Sequence, residues 1–382
     1  MDCPEYETEE NMKKILGIAG AIVGIIVIGI VLISVRETDT EVTRNQTKVG
    51  FILNGSIDDH SWGQSHFEGM EQCAGSLNLS VIYKENIPAD ESCKECIEEL
   101  IGQGCKIIIC NSFGYGDYVL EAAQEHRDIY FFHATGVEEA HNLATYFGRI
   151  YQMRYLSGIV AGLQTETDKI GYVAAYPISE VNRGINAFTL GVREVNPDAQ
   201  VYVEWTHSWT GEKEAAEATE RLLDGQDIDV VTIHTDTNRT LEIAEERGIW
   251  SIGYNMDNAE LYPNTFLTAP VFEWENFYEP YLLGCLQGKF RGKHYWEGAK
   301  TGVVSLAPLS GNVKEGIAER VAQEREKFMS GTFDVFYGPV TDSEGELRIR
   351  EMESMTDDDM LNGFDWYVEG VELYEERVGE KE

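Results

Sequence analysis

The sequence predicts an α/β protein of two lobes, each a parallel sheet flanked by helices, behind an N-terminal transmembrane helix. A chain of 382 residues exceeds what one compact core usually holds, so two lobes or domains are expected. From Lys48 onward, short apolar runs alternate with amphipathic stretches, which is typical of parallel βαβ units. An uncharged apolar run from Ile15 to Val35 precedes them.

The apolar run over 15–35 is predicted to be an uncleaved membrane anchor. It is long enough to cross about 30 Å of hydrocarbon as a helix, and it has no polar face. Lys13 and Lys14 precede it, whereas acidic residues follow it closely, so the positive-inside rule places the N-terminus in the cytoplasm. No A-x-A cleavage site follows. The predicted organisation is a cytoplasmic segment over 1–14, the anchor, a tether over 36–47 and an extracytoplasmic domain over 48–382.

Within that domain, the apolar runs and their spacing predict the elements in order. Strands are predicted over 48–53, 80–83, 106–110, 128–133, 169–175, 200–205, 229–234 and 250–254. Helices are predicted over 64–77, 92–101, 117–126, 151–163 and 183–195. Lobe 1 is expected to cover about 48–148 and lobe 2 about 149–270, with the chain crossing between lobes again after that. Ligands of such sheets bind at the carboxyl ends of strands, so the loops there are the predicted site.

Aromatic residues follow several of these strand ends. Polar residues in strand-to-helix loops have an ordinary explanation, because they cap helices and form turns. That explanation does not cover Trp62, Phe113, Trp209 and Tyr254, which are all expected to be exposed on one rim. A cluster of exposed aromatic side chains is typical of a site that stacks against a ligand.

Charge and cysteine content exclude some functions. The formal net charge is -37, with 30 Lys and Arg against 67 Asp and Glu, and such a surface repels nucleic acid. The seven cysteines include one C-x-x-C, Cys93 to Cys96, but no second pair that would suggest a zinc site. A structural role is favoured for this pair over redox catalysis. No cofactor and no metal are predicted.

Several short motifs carry a resemblance to a known family. They lie at 59–64 with Gly69 beyond, at 112–117, at 191–197, at Trp209, at 252–258 and at 362–370. In order and spacing they resemble the basic membrane protein family of solute-binding proteins, the Med and PnrA-like group. The resemblance implies a two-lobed periplasmic-binding-protein-like type I fold. It also implies capture of a small molecule, such as a purine nucleoside or related heterocycle, for the permease and ATPase of an ABC importer.

The resemblance also implies a ligand site. In nucleoside-binding members, two aromatic residues sandwich the base and an aspartate holds its edge; Trp62, Trp209 and Asp117 match those positions. An aspartate and a lysine hold the ribose in those members, but here Asn255 and Phe272 stand in their place, and Gly63 replaces a family asparagine. The implied ligand-binding residues are Asp59, Ser61, Trp62, Gln64, Phe113, Asp117, Trp209, Asn255, Asp257 and Phe272.

Two other functions remain open from the sequence. The domain would also serve as the ligand-sensing ectodomain of a signalling system. A metal-dependent enzyme is a more distant alternative, because His60, His133, His207 and His234 all follow or end strands and imidazole is a common metal ligand. No G-x-S-x-G, H-E-x-x-H or P-loop motif occurs. The prediction is therefore a binding protein and not an enzyme.

Overall fold

The computed structural model describes residues 46–374. The predicted cytoplasmic segment, the predicted anchor and nearly all of the predicted tether lie outside these residues. Among the helices of residues 46–374, none combines the length and the apolar character needed to cross a membrane. The first strand begins at Thr47, one residue before the predicted start of the domain.

The first sheet contains six strands that all run parallel. They are β1 (Thr47–Ile52), β2 (Leu79–Lys84), β3 (Ile107–Cys110), β4 (Tyr130–Ala134), β5 (Leu143–Gly148) and β12 (His294–Glu297). Their order across the sheet is β12-β5-β4-β3-β1-β2. All four residues of β3 are buried, as the continuous apolar run predicted, because helices cover both faces of a parallel sheet.

The second sheet also contains six parallel strands. They are β6 (Lys169–Ala174), β7 (Gln200–Trp205), β8 (Val230–His234), β9 (Trp250–Ile252), β10 (Phe266–Thr268) and β16 (Val371–Leu373). Their order is β10-β9-β8-β6-β7-β16. Two six-stranded parallel sheets confirm the predicted two-lobed α/β architecture.

Helices connect the strands of both sheets. They are α1 (Trp62–Ser76), α2 (Glu91–Gly102), α3 (Gly116–Glu125), α4 (Tyr151–Gln164), α5 (Ser179–Val195), α6 (Glu212–Gly225), α7 (Arg239–Arg247), α8 (Glu275–Leu286), α9 (Ile317–Ser330) and α10 (Asp357–Asn362). The five helices predicted from sequence are all present, and α5 begins four residues earlier than predicted. Local capping explains some of the ends: Asp90 accepts the N–H of Ser92 before α2, and α7 ends at the left-handed Gly248.

The chain passes between the two sheets at three places within the described residues: between β5 and β6, between β10 and β12, and between β12 and β16. Next to these crossings, β11 (Pro270–Phe272) pairs antiparallel with β13 (Val304–Leu306). A further antiparallel pair, β14 (Val340–Thr341) and β15 (Leu347–Ile349), lies outside both sheets.

The strand order locates the expected ligand crevice. In the first sheet β1 lies between β2 and β3, and in the second β6 lies between β7 and β8. Connections leave these central strands in opposite directions, which opens a crevice at their carboxyl ends. The loops after β1, β3, β6 and β8 are therefore the segments that the fold brings to the interlobe site.

Four strands of these two sheets were not predicted as strands from local sequence: β5, β10, β12 and β16. The β4 and β5 strands are parallel neighbours, yet no helix separates them, and a parallel pair normally needs a long crossover. The expected alternation of strand and helix therefore missed β5. The β12 strand joins the first sheet from far along the chain, so its local sequence carries little signal of its partner.

Candidate ligand-binding site

The loop after β1 contacts the second lobe directly. The backbone carbonyl of His60 accepts hydrogen bonds from Nδ2 of Asn238 at 3.0 Å and of Asn258 at 3.1 Å. Nδ2 of Asn255 donates to the hydroxyl oxygen of Ser61 at 3.0 Å. Two of the predicted site residues, Ser61 and Asn255, therefore meet between the lobes, and both are almost completely buried.

Asp59 organises the start of α1. Its carboxylate accepts the backbone N–H groups of Ser61 at 2.8 Å, Gly63 at 2.8 Å and Gln64 at 3.0 Å. These bonds satisfy donors that a helix N-terminus otherwise leaves unpaired. Burial raises the pKa of Asp59, although the three backbone donors act in the opposite direction. The carboxylate oxygens are engaged by the backbone, so Asp59 positions the loop that carries Ser61.

A second carboxylate, Asp236, lies two residues after the end of β8 and is not one of the ten predicted residues. It accepts a hydrogen bond from Nδ2 of Asn255 at 3.2 Å. Burial raises the pKa of Asp236 well above its usual value, and repulsion from Asp59 adds to the effect. Two acidic groups from different lobes thus lie close enough to repel each other, and a hydrogen-bond donor placed between them is favoured electrostatically.

The prediction that Trp62 and Tyr254 are exposed is wrong. Trp62 is only 7% exposed and Tyr254 only 3%. The indole N–H of Trp62 donates to the carbonyl of Asn111 at 2.8 Å, and its ring makes edge contacts with Phe272 and Trp274, with centroids 5.6 Å away in both cases. Helix α1 begins at Trp62 and turns this side chain into the aromatic core, so Trp62 forms part of the wall of the site.

Three buried amide atoms around this wall have no hydrogen-bond partner among residues 46–374. They are Oδ1 of Asn54, Nδ2 of Asn111 and Oδ1 of Asn255. The other ends of two of these amides are engaged: Asn111 Oδ1 accepts the backbone N–H of Asn54 at 3.0 Å, and Asn255 Nδ2 donates to Ser61. A buried polar atom without a partner is costly. A polar ligand with both donors and acceptors offers partners for all three atoms.

Trp209, unlike Trp62 and Tyr254, keeps part of its surface exposed. Its ring lies 6.0 Å from that of Tyr176 and 6.3 Å from that of His234, measured between centroids. Its backbone carbonyl accepts the N–H of Asp236 at 2.7 Å. This bond holds Trp209 beside the carboxylate that contacts Asn255, so an aromatic surface and polar groups adjoin on the second lobe.

Phe113 and Asp117 lie further out on the first lobe. Phe113 is 60% exposed, and Asp117 is exposed in the first turn of α3. Within residues 46–374, no hydrogen bond or ring contact joins either side chain to the other predicted site residues. The structure therefore separates these two residues from the group around Ser61 and Asn255.

Sequence reasoning missed a buried charged network beneath the second-lobe wall. Arg154 is completely buried; its Nη1 donates to the carbonyl of Ile233 at 2.8 Å, and its guanidinium lies 4.0 Å from the ring centre of Tyr254. Its Nε and Nη2 have no partner in the described part of the chain. One indication of this network is visible in the sequence, a single arginine in the otherwise uncharged stretch 151–164. A buried charge without a partner is rare.

His234 links this network to Trp209. Its Nδ1 contacts the hydroxyl of Tyr172 at 2.9 Å, and its Nε2 contacts Glu180 at 3.1 Å. Burial lowers the pKa of His234 to about 4, and Glu180 only partly offsets that effect. The imidazole is therefore neutral at pH 7, and its two nitrogens are occupied by protein groups.

A cavity of about 460 Å³ lies between the lobes beside β11 and β13. We call it the hinge cavity; its walls come from α1, the loop 255–261, β11 and the residues 305–308. Four predicted site residues line it: Gln64, Asn255, Asp257 and Phe272. Phe272 is stacked on Trp274 with ring centroids 4.5 Å apart and is 5% exposed. An aromatic ring therefore occupies the position at which the resemblance implies a lysine.

The histidines named from sequence do not converge on one point. Within residues 46–374, the one group of three side chains close enough to share a metal ion is Glu98, Glu125 and His126, which contains none of them. His133 instead contacts the carbonyl of Ser112 through Nε2 at 2.7 Å. The geometry therefore does not support the metal-dependent enzyme among the sequence-based alternatives.

The C-x-x-C pair lies inside α2. Cys93 and Cys96 are both buried free thiols. Burial raises the pKa of Cys96 to about 11, whereas reactive cysteines have lowered values. This environment is typical of structural cysteines.

Comparison with known proteins agrees with this fold. Residues 46–336 match the family described as ABC transporter substrate-binding protein, PnrA-like. The chain is 33% identical to a purine-binding protein of Brucella abortus, over 85% of this chain and 93% of that protein. It is 34% identical to a putative ABC transporter glucose-binding protein of Haloferax volcanii, over 84% of this chain and 79% of that protein.

Solved structures show the same architecture. The crystal structure of a transcriptional activator of the comK gene from Bacillus halodurans superposes with a TM-score of 0.66 at 23% identity, covering 75% of this chain and 99% of that one. Two parallel six-stranded sheets define the type I periplasmic-binding-protein fold. The chain belongs to the PnrA-like, or basic membrane protein, family of ABC transporter substrate-binding proteins, an extracytoplasmic family, as its motifs indicated.

Proposed function

We propose that this protein captures a planar heterocycle of the purine class between its lobes and delivers it to the permease and ATPase of an ABC importer. The observation that carries the proposal is the half-buried ring of Trp209, together with buried amide atoms that have no hydrogen-bond partner among residues 46–374. A similar chain from Brucella abortus bears the name purine-binding protein, which supports the same ligand class.

Stacking on Trp209 supplies the affinity for a flat ring. Offset or edge-to-face aromatic pairs contribute about 0.5–1.5 kcal/mol beyond the area that they bury. Tyr176 and His234 flank Trp209 and extend the aromatic surface. Phe113, which is 60% exposed on the opposite lobe, is available to cover the outer face of the ring when the lobes close.

The amides supply the specificity for a polar edge. Purine bases carry both N–H donors and ring or carbonyl acceptors. Oδ1 of Asn54 and of Asn255 accept such donors, and Nδ2 of Asn111 donates to such acceptors. Asp236 adds a further acceptor next to Asn255. Neutral amides and acidic groups favour an uncharged or donor-rich heterocycle over an anionic ligand.

The ten residues taken from sequence keep distinct roles in this proposal. Trp209 and Phe113 cover the ring, Asp117 approaches its outer edge, and Asn255 contacts its inner edge. Asp59 and Ser61 position the first-lobe loop, and Trp62 forms the wall behind it. Gln64, Asp257 and Phe272 line the hinge cavity next to the ligand.

The sugar position is altered relative to nucleoside binders. Phe272 offers no donor, and Asn255 already uses Nδ2 on Ser61 and Asp236. A hydrogen bond to a charged group contributes about 1.5–3 kcal/mol. A free purine base is therefore proposed to bind more tightly than the corresponding ribonucleoside.

A thermal-shift series tests the proposal. The full-length chain, purified in non-ionic detergent, is titrated with adenine, guanine, hypoxanthine, inosine and glucose. A ligand that binds the folded chain raises its unfolding temperature once its concentration exceeds the dissociation constant, so at least one base is expected to do so and glucose is not. The Trp209→Ala variant should lose most of this shift, whereas Trp209→Phe should retain it. A shift with glucose alone, or equal shifts in all three proteins, would refute purine capture.

A further inference from the structure

Four of the six cysteines in residues 46–374 belong to one buried cluster of the first lobe: Cys93, Cys96, Cys105 and Cys110. Cys93 lies in the first turn of α2, and Cys110 ends β3. Alternate residues of a strand lie on the same face of a sheet, so Cys110 shares with Ile108 the face that packs in this cluster. The fold thus brings the start of α2 to the carboxyl end of β3.

Two of these thiols contact each other. The side chain of Cys93 forms a hydrogen bond with that of Cys110, and both residues are completely buried. Burial raises the pKa of the Cys110 thiol well above its usual value, and the contact with Cys93 adds to this effect. Cys110 therefore stays protonated near neutral pH, and its thiol is held directly against a second thiol.

The other two cysteines of the cluster are arranged differently. Cys96 lies one turn further along α2 and interacts with Cys93 and Cys110 through charge alone. In the described part of the chain, no hydrogen bond joins Cys105 to another cysteine. No three of these thiols are close enough to share a metal ion. The geometry therefore selects one pair of cysteines, not a metal-binding group.

The compartment of the family suits a covalent bond between the two thiols. The chain belongs to an extracytoplasmic family, and disulfides form and persist in oxidising compartments outside the cytoplasm. A bond between residues 93 and 110 would close a short loop that contains most of α2 and the whole of β3. Such a bond restricts the unfolded chain and thereby stabilises the folded one.

We propose that Cys93 and Cys110 form a disulfide bond in the exported protein, which joins the first turn of α2 to the end of β3. The oxidant is a small-molecule disulfide. The thiolate of one cysteine attacks it and releases one small thiol, and the thiolate of the second cysteine then attacks the mixed disulfide and releases the other. The two cysteines lose two electrons and two protons, which the two released thiols carry. Because both cysteines are buried in the folded chain, the exchange takes place before α2 has packed on the sheet.

The bond would stabilise one edge of the candidate ligand site. Cys110 directly precedes Asn111, whose carbonyl accepts the indole N–H of Trp62 and whose Oδ1 accepts the backbone N–H of Asn54. A disulfide at Cys110 therefore fixes the strand end from which Asn111 makes these contacts. The proposal does not depend on which ligand binds, so failure of purine binding would leave it intact.

Peptide mapping tests the bond directly. The full-length chain is extracted in non-ionic detergent without reductant, treated with iodoacetamide in urea and digested with trypsin. Cleavage after Lys84, Lys94, Lys106 and Arg127 places Cys93, Cys96 and Cys110 in three different peptides, 85–94, 95–106 and 107–127. Mass spectrometry should find 85–94 joined to 107–127, and the two should separate after reduction. Recovery of all three peptides alkylated and separate, or of 85–94 joined to 95–106, would overturn the proposal.

Counting the thiols in matched variants gives a second readout that does not require a folded protein. Of the seven cysteines, five should react with iodoacetamide in urea before reduction and all seven after it. Cys93→Ser frees Cys110, so six thiols should react both before and after reduction. The control Cys96→Ser keeps the bond, so four should react before reduction and six after it. A Cys93→Ser variant that still gains two thiols on reduction, or a Cys96→Ser variant that gains none, would contradict the pairing.

Discussion

Trp62 and Phe113 are both aromatic residues of the implied ligand site, but their surroundings are opposite. Trp62 is 7% exposed and Phe113 is 60% exposed. Truncation of a buried tryptophan removes its packing and leaves a cavity, so Trp62→Ala should lower the free energy of unfolding by about 3–5 kcal/mol. Phe113→Ala should change it by about 0.5 kcal/mol or less. Urea unfolding of the two variants measures the difference, and similar losses in both would contradict the burial assigned to Trp62.

Two buried histidines make stability depend on pH. Burial lowers the pKa of His133 and of His234 to about 4, whereas an exposed histidine titrates near 6.5. Between these values the unfolded chain binds more protons than the folded one, so stability is complete above pH 6.5 and is lost as the pH falls toward 4. Each histidine should contribute a loss of about 2 kcal/mol between pH 7 and pH 5.

The His133→Asn variant isolates one of these contributions. Its free energy of unfolding should be lower than that of the natural protein at pH 7, but the gap should narrow by about 2 kcal/mol at pH 5. Urea unfolding at both pH values provides the measurement. Parallel pH profiles for the two proteins would show that His133 titrates normally in the folded state.

At the scale of elements, the closest helix contact is that between α4 and α5. Gly158 and Gly191 face the partner helix so closely that an added Cβ would overlap the carbonyl oxygens of Phe188 and Tyr155. Gly158→Ala should therefore destabilise the protein by about 1–3 kcal/mol. Gly75→Ala near the end of α1 meets open space and should be neutral or slightly stabilising. Equal unfolding midpoints for the two variants would contradict this packing.

Local sequence predicted most elements because each of them has a recognisable pattern of apolar residues within its own span. The strands β1, β3, β6 and β8 are continuous apolar runs, and α1 to α5 have amphipathic or apolar periods between them. The β12 and β16 strands join their sheets from positions far along the chain, so only tertiary pairing identifies their places. The motif at 362–370, which resembles the closing strand of the family, lies directly before β16.

The site was predictable in part for the same reason. Loop position brought Ser61 and Asn255 to the crevice, as the rule for carboxyl ends of strands predicts. The direction of a side chain at a helix start depends on tertiary packing, so the burial of Trp62 was not visible in the sequence. The contact of Asp236 with Asn255 and the burial of Arg154 likewise depend on neighbours that lie far away along the chain.

At the scale of the whole molecule, the sequence predicts a chain held at the membrane by the run 15–35, with its binding domain outside. Protease added to intact cells should then degrade the domain while the N-terminal segment stays protected. N-terminal sequencing of the mature protein should begin before Ile15. A mature protein that begins beyond Val35 would show that the apolar run is removed.

The most direct test of the account is calorimetric titration of the full-length chain with free purine bases. Three features predict one base bound per chain: the two-lobed crevice, the stacking surface of Trp209, and the amide atoms of Asn54, Asn111 and Asn255 that have no partner among residues 46–374. The same base should bind at least about fivefold more weakly to Trp209→Ala. Absence of binding by adenine, guanine and hypoxanthine, with tight binding of glucose, would contradict the account.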